Sequence, residues 1–442
     1  MNTLVRFAMA AAVLVVAAGA DAKKKPNFRD DVNPVIFVHG GSGSGAQFES
    51  QAMRFASNRY DPSYLSVVEY NSAGVDPGSS ADQAFIFGLI DDRIAELQAA
   101  TGRAQVDLMG HSFGTTWSHL YLAEPSRAAK VAHYVNLDGR PADAPPGGVP
   151  TLALWAGAVD RPVQGEIVGA INVTIPNQEH VEVATSAESF VEMFRFLAGE
   201  DPTTSDIVPD PGKITLAGRA VTFPDNTGAD GATLEMWVLN PRNGKRKGRK
   251  PKASVVLGPD GAFSFTGLQK KTYEFVLTGV GALPLHYFFE RYLRSDLLIR
   301  VNAAPLLDPV LPTSPDRTGM AVIRYKEFWG DRGAENDVLS IDGIDVINPV
   351  TAPSGAVGTA SVAFFVFDVG QDGITDLETV PFPFTTLPFL TGADVYLPAL
   401  PPDPIKVVTV PRGDDAATRT VTIRRIPSTE GRVVVFLQDF EQ

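Results

Sequence analysis

The chain reads as an α/β protein, a parallel sheet with helices on both faces, followed by a β-rich C-terminal region built as a sandwich or barrel. Three observations predict this. From Pro34 to about Leu197 short apolar runs alternate with amphipathic ones, the pattern of strands joined by crossover helices. Around Gly199–Thr204 the periodicity changes, and from Lys213 onward strand-like runs are separated by Gly, Pro, Asn and Asp, as in all-β architectures. Between the strand-like run Gln105–Met109 and the helix-like run Thr115–Ala123 stands Gly110-His111-Ser112-Phe113-Gly114, which puts a serine on a sharp strand-to-helix turn.

Taken in order, residues 1–22 carry a positive end at Arg6, an apolar segment Phe7–Ala18 and the small-residue site Ala20-Asp21-Ala22. That is the form of a secretory signal peptide, and it predicts a secreted or periplasmic protein. The apolar run is shorter than the ~20 residues that cross a bilayer, and no later run is longer, so no transmembrane helix is expected in the mature chain. Strands are expected at Val35–Val38, Leu65–Tyr70, Gln105–Met109, Val131–Leu137, Thr151–Trp155 and Asn172–Thr174. Helices are expected at Gln47–Ser57, Asp82–Ala100, Thr115–Ala123 and Ser186–Leu197. The β-rich half shows runs such as Lys213–Phe223, Ala232–Leu239, Thr272–Val280, Ala321–Phe328 and Arg432–Leu437. The division expected is a catalytic domain over 23–202 and a β-rich region over 203–442, the latter as one unit or as 203–305 and 306–442.

Composition narrows the function. Of 442 residues 44% are hydrophobic, enough for packed cores, and the net charge of −13 argues against nucleic acid as a partner. With no cysteine, disulfides, thiol catalysis and cysteine metal sites are excluded.

A hydroxyl is a poor nucleophile near neutral pH, so Ser112 needs a base within reach and a carboxylate to orient that base. Of six histidines, His39 sits in a glycine-rich loop, His111 in the turn itself, His119 on the following helix, His133 in a strand and His286 in the β-rich half. His180 remains, in a loop between the last strand and last helix of the α/β half, on the serine's side of the sheet. Two aspartates close strands and preserve the order serine, acid, histidine: Asp138, after Tyr134–Leu137, and Asp160, after Leu154–Val159. The run Val35–Gly43 ends in Gly40-Gly41-Ser42-Gly43, where backbone N–H groups can approach a reacting carbonyl. The Gly41 and Phe113 N–H groups are the expected oxyanion hole. A phosphate loop would need a lysine after the glycines, and Ala46-Gln47-Phe48 follow instead. Acyl transfer of this kind requires no cofactor or metal.

Several segments together resemble the lipase of the archaeon Archaeoglobus and its bacterial relatives. They are Phe37-Val38-His39-Gly40, Ala46–Ala56, Val106–Ser112, Ala128–His133, Leu137-Asp138-Gly139 and Thr204–Pro209, and more faintly Leu390–Val395. The resemblance covers most of the mature chain. It implies an α/β-hydrolase with a C-terminal β-domain that helps engage lipid, an acyl ester or lipid substrate, and peripheral contact with a lipid surface. It also implies Asp138, rather than Asp160, as the acid, and matches Gly41 and Phe113 by position. One departure stands out. The family carries a long helical lid before the serine strand, where this chain has only Asn71–Arg103, nearly filled by one helix. Little is left there to cover an apolar cleft, so soluble short-chain esters are the expected substrates.

Other signals are weaker. Asp368–Asp376 has acidic spacings of a calcium loop but lacks an acid at the third position and a glutamate at the twelfth, so it reads as an acidic turn. Lys245–Lys250 reads as a solvated hairpin loop. Val380–Leu390 contains three prolines that bar a central strand, and it suits a packed loop, a lipid contact or the frame of a cleft. The leading function is an exported serine carboxylester hydrolase. The alternatives are hydrolysis of another acyl substrate (polyester, thioester or amide), and a catalytically idle hydrolase fold whose β-region binds lipid, surface or glycan.

Overall fold

The computed structural model describes residues 27–158, 165–355, 357–400 and 403–438. The signal segment 1–22 and Asp160 lie outside the described residues.

Six strands form the first sheet: β1 (Val35–Val38), β2 (Leu65–Val68), β3 (Val106–His111), β4 (Val131–Leu137), β5 (Thr151–Gly157) and β6 (Ile171–Pro176). Their order is β2-β1-β3-β4-β5-β6, and every pairing is parallel. The helices are α1 (Glu49–Ser57), α2 (Ser80–Thr101), α3 (Phe113–Leu122), the single turn α4 (Pro125–Ala128) and α5 (Ala187–Ala198). Period-two side-chain alternation sorts β1 between two cores. Val35 and Phe37 pack with Phe55 of α1 and Phe190 of α5, while Ile36 and Val38 pack with Ile90 of α2 and Trp117 of α3. A sheet covered on both faces needs the near-continuous apolar strands seen here.

Helix α2 begins where Ser79 Oγ accepts the Asp82 N–H at 3.3 Å and stops at Gly102, whose φ is 72°, a left-handed C-cap suited to glycine. Its stripe Ile86, Phe87, Ile90, Ile94, Leu97 is buried against the sheet. The expected helix Gln47–Ser57 is entered two residues earlier, through a tight 3-10 turn over Gly45–Phe48, and is α-helical from Glu49.

Among its described residues the second half is sheet, turn and short 3-10 segments, with no α-helix. An eight-stranded sheet is buried on both faces. On one side it packs against the three strands Ala262–Leu268, Ile214–Thr222 and Asp296–Ala303, and on the other against the four strands from Val338 to Ile423. The strand Arg432–Leu437 shows the logic: Val434 and Phe436 enter the first core, Val433, Val435 and Leu437 the second. The expected sandwich is therefore three layers deep.

Some strands escaped the sequence pattern. Leu390–Asp394 carries little β-branched character, yet it pairs in parallel with Ala363–Phe367 at the sheet edge. A Cβ at Gly392 would lie 2.8 Å from the Phe384 ring, so only glycine lets that ring close over the strand. Among the described residues no helix is long and apolar enough to cross a membrane.

Candidate active site

The first functional side chain arises from the β3–α3 turn. Ser112 has φ 52° and ψ −121°, a region that L-residues adopt only when their surroundings enforce it. The enforcement is local. A Cβ at Gly114 would drive into the Val38 carbonyl, and one at Gly110 would lie 2.8 Å from Ser118 Oγ. The glycines thus let α3 settle directly on β1 and β3. Thr115 ties the turn to the next loop, its Oγ1 donating to the Ser112 carbonyl at 2.7 Å and accepting the Arg140 N–H at 2.8 Å. Sequence reasoning missed this residue; its position three after the serine was the available signal.

Asp138 follows β4 at φ 41°. Its Oδ1 accepts the Ala156 N–H at 3.0 Å, and its Oδ2 lies 2.6 Å from His180 Nδ1. Both residues are buried. A carboxylate can only accept, so Nδ1 carries the proton and Nε2 is left with its lone pair. Of the two acids weighed in the sequence, Asp138 is the one brought to His180 within the described residues.

His111 is a structural partner. Its Nε2 donates to the His180 carbonyl at 2.8 Å, which obliges Nδ1 to accept from Gln47 Nε2 at 2.8 Å. The residue preceding Ser112 is thereby bonded to the backbone of His180. The glycine-rich loop after β1 is shaped by His39, whose Nδ1 donates to the Gly40 carbonyl at 2.8 Å, and whose ring stacks on Tyr70 at 4.2 Å. Burial holds the His39 imidazole below its ordinary value. From the β-rich half, Asn226 Nδ2 donates to the Gly43 carbonyl at 2.8 Å and the Tyr70 carbonyl at 3.2 Å.

Gly41, Phe113, Ser112 and His180 line one cavity of about 400 Å³, within the usual range of small-molecule sites. Phe113 opens α3, so its N–H is among those the helix leaves unsatisfied at its positive end. Away from the serine the wall is apolar, and it comes from the β-rich half: Leu283, Leu285, Leu311, Ile323, Phe365 and Phe389 are among the lining residues. Phe389 stacks over the His180 ring at 6.3 Å. This corrects the expectation of a poorly covered cleft. The space before the serine strand does hold one helix, packed on the sheet, but the cleft is walled by residues 280–312 and 357–390, far along the chain. Within Val380–Leu390, Pro388, Phe389 and Leu390 frame the cavity, Phe384 is buried against Phe365, and Phe382 is 75% exposed.

Residues 33–175 match the family model described as alpha/beta hydrolase fold, residues 212–305 that of a lipase C-terminal domain, and residues 307–441 a further C-terminal domain model. The domain set is that of an Archaeoglobus-type lipase. No curated protein matches the chain. Solved structures similar to it include a gene product of Listeria innocua, at 13% identity over 40% of this chain and 97% of that one, TM-score 0.30. Lipase B of Aspergillus fumigatus is 12% identical over 41% and 56%, TM-score 0.31. A carboxylesterase of Bacillus subtilis is 13% identical over 39% and 86%, TM-score 0.28. The fold is an α/β-hydrolase fold with a β-rich C-terminal half, and the domain models matched support a lipase- or esterase-type hydrolase.

Two lesser signals also have their place in the fold. Asp368 is occupied by its own turn, accepting the Asp372 N–H at 3.1 Å and the Gly373 N–H at 3.0 Å, and it pairs with Arg317. Arg246 departs from the solvated basic loop expected: it pairs with Glu274 at 2.7 Å and stacks on Trp237 at 4.1 Å.

Proposed function

We propose that the protein is an exported serine carboxylester hydrolase that cleaves acyl esters through Ser112, His180 and Asp138. The observation that carries the reading is the 2.6 Å contact between His180 Nδ1 and Asp138, made where Ser112 stands on a strained turn beside the same cavity. Ser112 Oγ attacks the ester carbonyl as His180 Nε2 takes its proton, and Asp138 stabilises the imidazolium. The oxyanion is held by the Gly41 and Phe113 N–H groups, each such donor being worth ~100 to 1,000-fold in rate. His180 returns the proton to the leaving alcohol. Water then repeats the sequence on the acyl-enzyme, freeing the acid and restoring Ser112.

The apolar wall favours acyl chains long enough to reach beyond the serine, in place of the short-chain preference expected from the missing lid. Export follows from residues 1–22, and the division proposed for the rest is 23–202, 203–305 and 306–442. Hydrolysis of p-nitrophenyl esters across chain lengths, with fluorophosphonate labelling of Ser112, tests the reading. Turnover rising from acetate to medium or long chains, together with labelling, is expected. A chain that resists the probe while binding lipid vesicles would return the idle-fold reading in its place.

A further inference from the structure

The loop that carries His180 is held from the far end of the chain. Glu327, wholly buried, accepts the Val181 N–H on Oε1 at 2.5 Å and the Glu182 N–H on Oε2 at 3.0 Å. These are the two peptide groups that follow His180, and the carbonyl of His180 itself is taken by His111. Three successive backbone groups around the imidazole are therefore fixed, one from the serine turn and two from Glu327. Neighbours of Glu327 hold the rest of the loop. Trp329 Nε1 donates to Glu179 at 3.2 Å, Thr185 Oγ1 donates to the Tyr325 carbonyl at 2.8 Å, and Glu182 pairs with Arg412 at 2.5 Å and Lys326 at 2.9 Å.

Burying an acid is costly, and an apolar side chain would cost less were packing the only need. Here, however, an apolar replacement would strand two buried N–H donors beside His180. Burial and the nearby carboxylates of Glu179 and Glu182 push the Glu327 carboxyl up to about 8, against the opposing pull of its two N–H donors. A bidentate acceptor on consecutive amides fixes both the position and the direction of that peptide pair, which a single hydroxyl could not.

We propose that Glu327 is a positioning residue, anchoring the His180 loop so that the imidazole is presented to Ser112 in register. The inference rests on the hydrolase reading above. Glu327 touches no reacting atom; it acts through the backbone of residues 181 and 182. Misplacement of a catalytic group by about 1 Å can cost on the order of 100-fold in rate.

The test uses the full chain with Glu327→Gln and Glu327→Ala, comparing kcat, KM and the fraction of Ser112 titrated by a fluorophosphonate. Expected for Glu327→Ala is a fall of about 10- to 100-fold in kcat per titrated site with KM nearly unchanged, and a smaller fall for Glu327→Gln, which keeps one acceptor oxygen. The acid limb of the pH–rate profile moves with it. Should both variants lose only thermal stability or titratable sites, with kcat per site and the acid limb as in the wild type, the proposal is overturned. If Glu327→Ala does not fold, Glu327→Gln decides. The downfield proton resonance of the His180–Asp138 hydrogen bond separates the two readings. A wild type that neither labels nor turns over ester removes the hydrolase reading, while an unmoved resonance in Glu327→Gln removes the positioning role whatever the activity.

Discussion

The turn at Ser112 is held by residues within a few positions of it, Gly110, Gly114 and Thr115, and by the strand β1 on which α3 rests. The loop at His180 is held by Tyr325, Lys326, Glu327, Trp329 and Arg412, all from the β-rich half. One is a self-contained strained turn. The other is a loop whose geometry belongs to a distant sheet. The two are joined where His111, beside Ser112, donates to the His180 carbonyl, but their remaining supports are separate and can be disturbed one at a time.

The largest disturbance should come from the serine side. Ser112→Ala is expected to lower ester turnover by roughly 10⁵- to 10⁶-fold, with no change in the far-ultraviolet circular dichroism. Asp138→Asn should cost about 10⁴-fold, since the wrong histidine tautomer is then favoured, while Asp160→Asn stays within about twofold of wild type. Equal losses for the two aspartates in steady-state kinetics would contradict the assignment of the acid.

Gly114→Ala tests the self-contained turn by stability. Its Cβ would enter the Val38 carbonyl, and overpacking of this kind costs roughly 1–3 kcal/mol or more. A drop in urea midpoint is expected, with the turnover of whatever folds also reduced.

The interface between halves should answer to pH. Asp296, buried in contact with Glu49 of α1, is pushed up to about 7 by burial, and Glu49 is raised as well, by burial and by Asp296. The folded chain thus keeps protons that the unfolded chain releases above its ordinary carboxyl value. This contribution is complete below about pH 4 and is lost as pH rises through 7, weakening the fold. Glu274 has the opposite sign. Against the penalty of burial, His286, Arg246 and Arg424 hold it down to about 2, so its contribution is present above pH 4.5 and is lost only as pH falls toward 2. Urea unfolding at pH 3, 5, 7 and 9 checks both, and Asp296→Asn should flatten the decline that sets in above pH 4.

A smaller effect than that of the Glu327 variants is expected of Trp329→Phe, which deletes the indole hydrogen bond to Glu179 at about 1 kcal/mol. A modest loss of kcat, smaller than that of Glu327→Ala, would place the His180 loop under graded control from residues 325–329.

The same contrast explains what the sequence disclosed. The Ser112 turn was legible because its requirements are local: small residues at 110 and 114, a strand before and a helix after. Strand β1 was legible because burial on both faces leaves an unbroken apolar run. His180 and Asp138 were legible as candidates by order and by strand ends, although spacing alone left Asp160 open. The supports were not legible. Glu327 meets Val181 across 146 positions, and no pattern within Arg324–Trp329 announces a partner. The covering of the cavity was legible only in part: the frame of a cleft was among the readings of Val380–Leu390, but no local pattern marked residues 280–312 as its other wall.

The strand Arg432–Leu437 lies in the middle of the eight-stranded sheet, parallel to Leu285–Phe289 on one side and Met320–Arg324 on the other. Until those six residues are in place, two strands face each other across a gap, each with an open hydrogen-bonding edge that invites other chains. Polypeptides lacking this strand should therefore be aggregation-prone and idle together, because the sheet that carries the supports of the His180 loop cannot close without it.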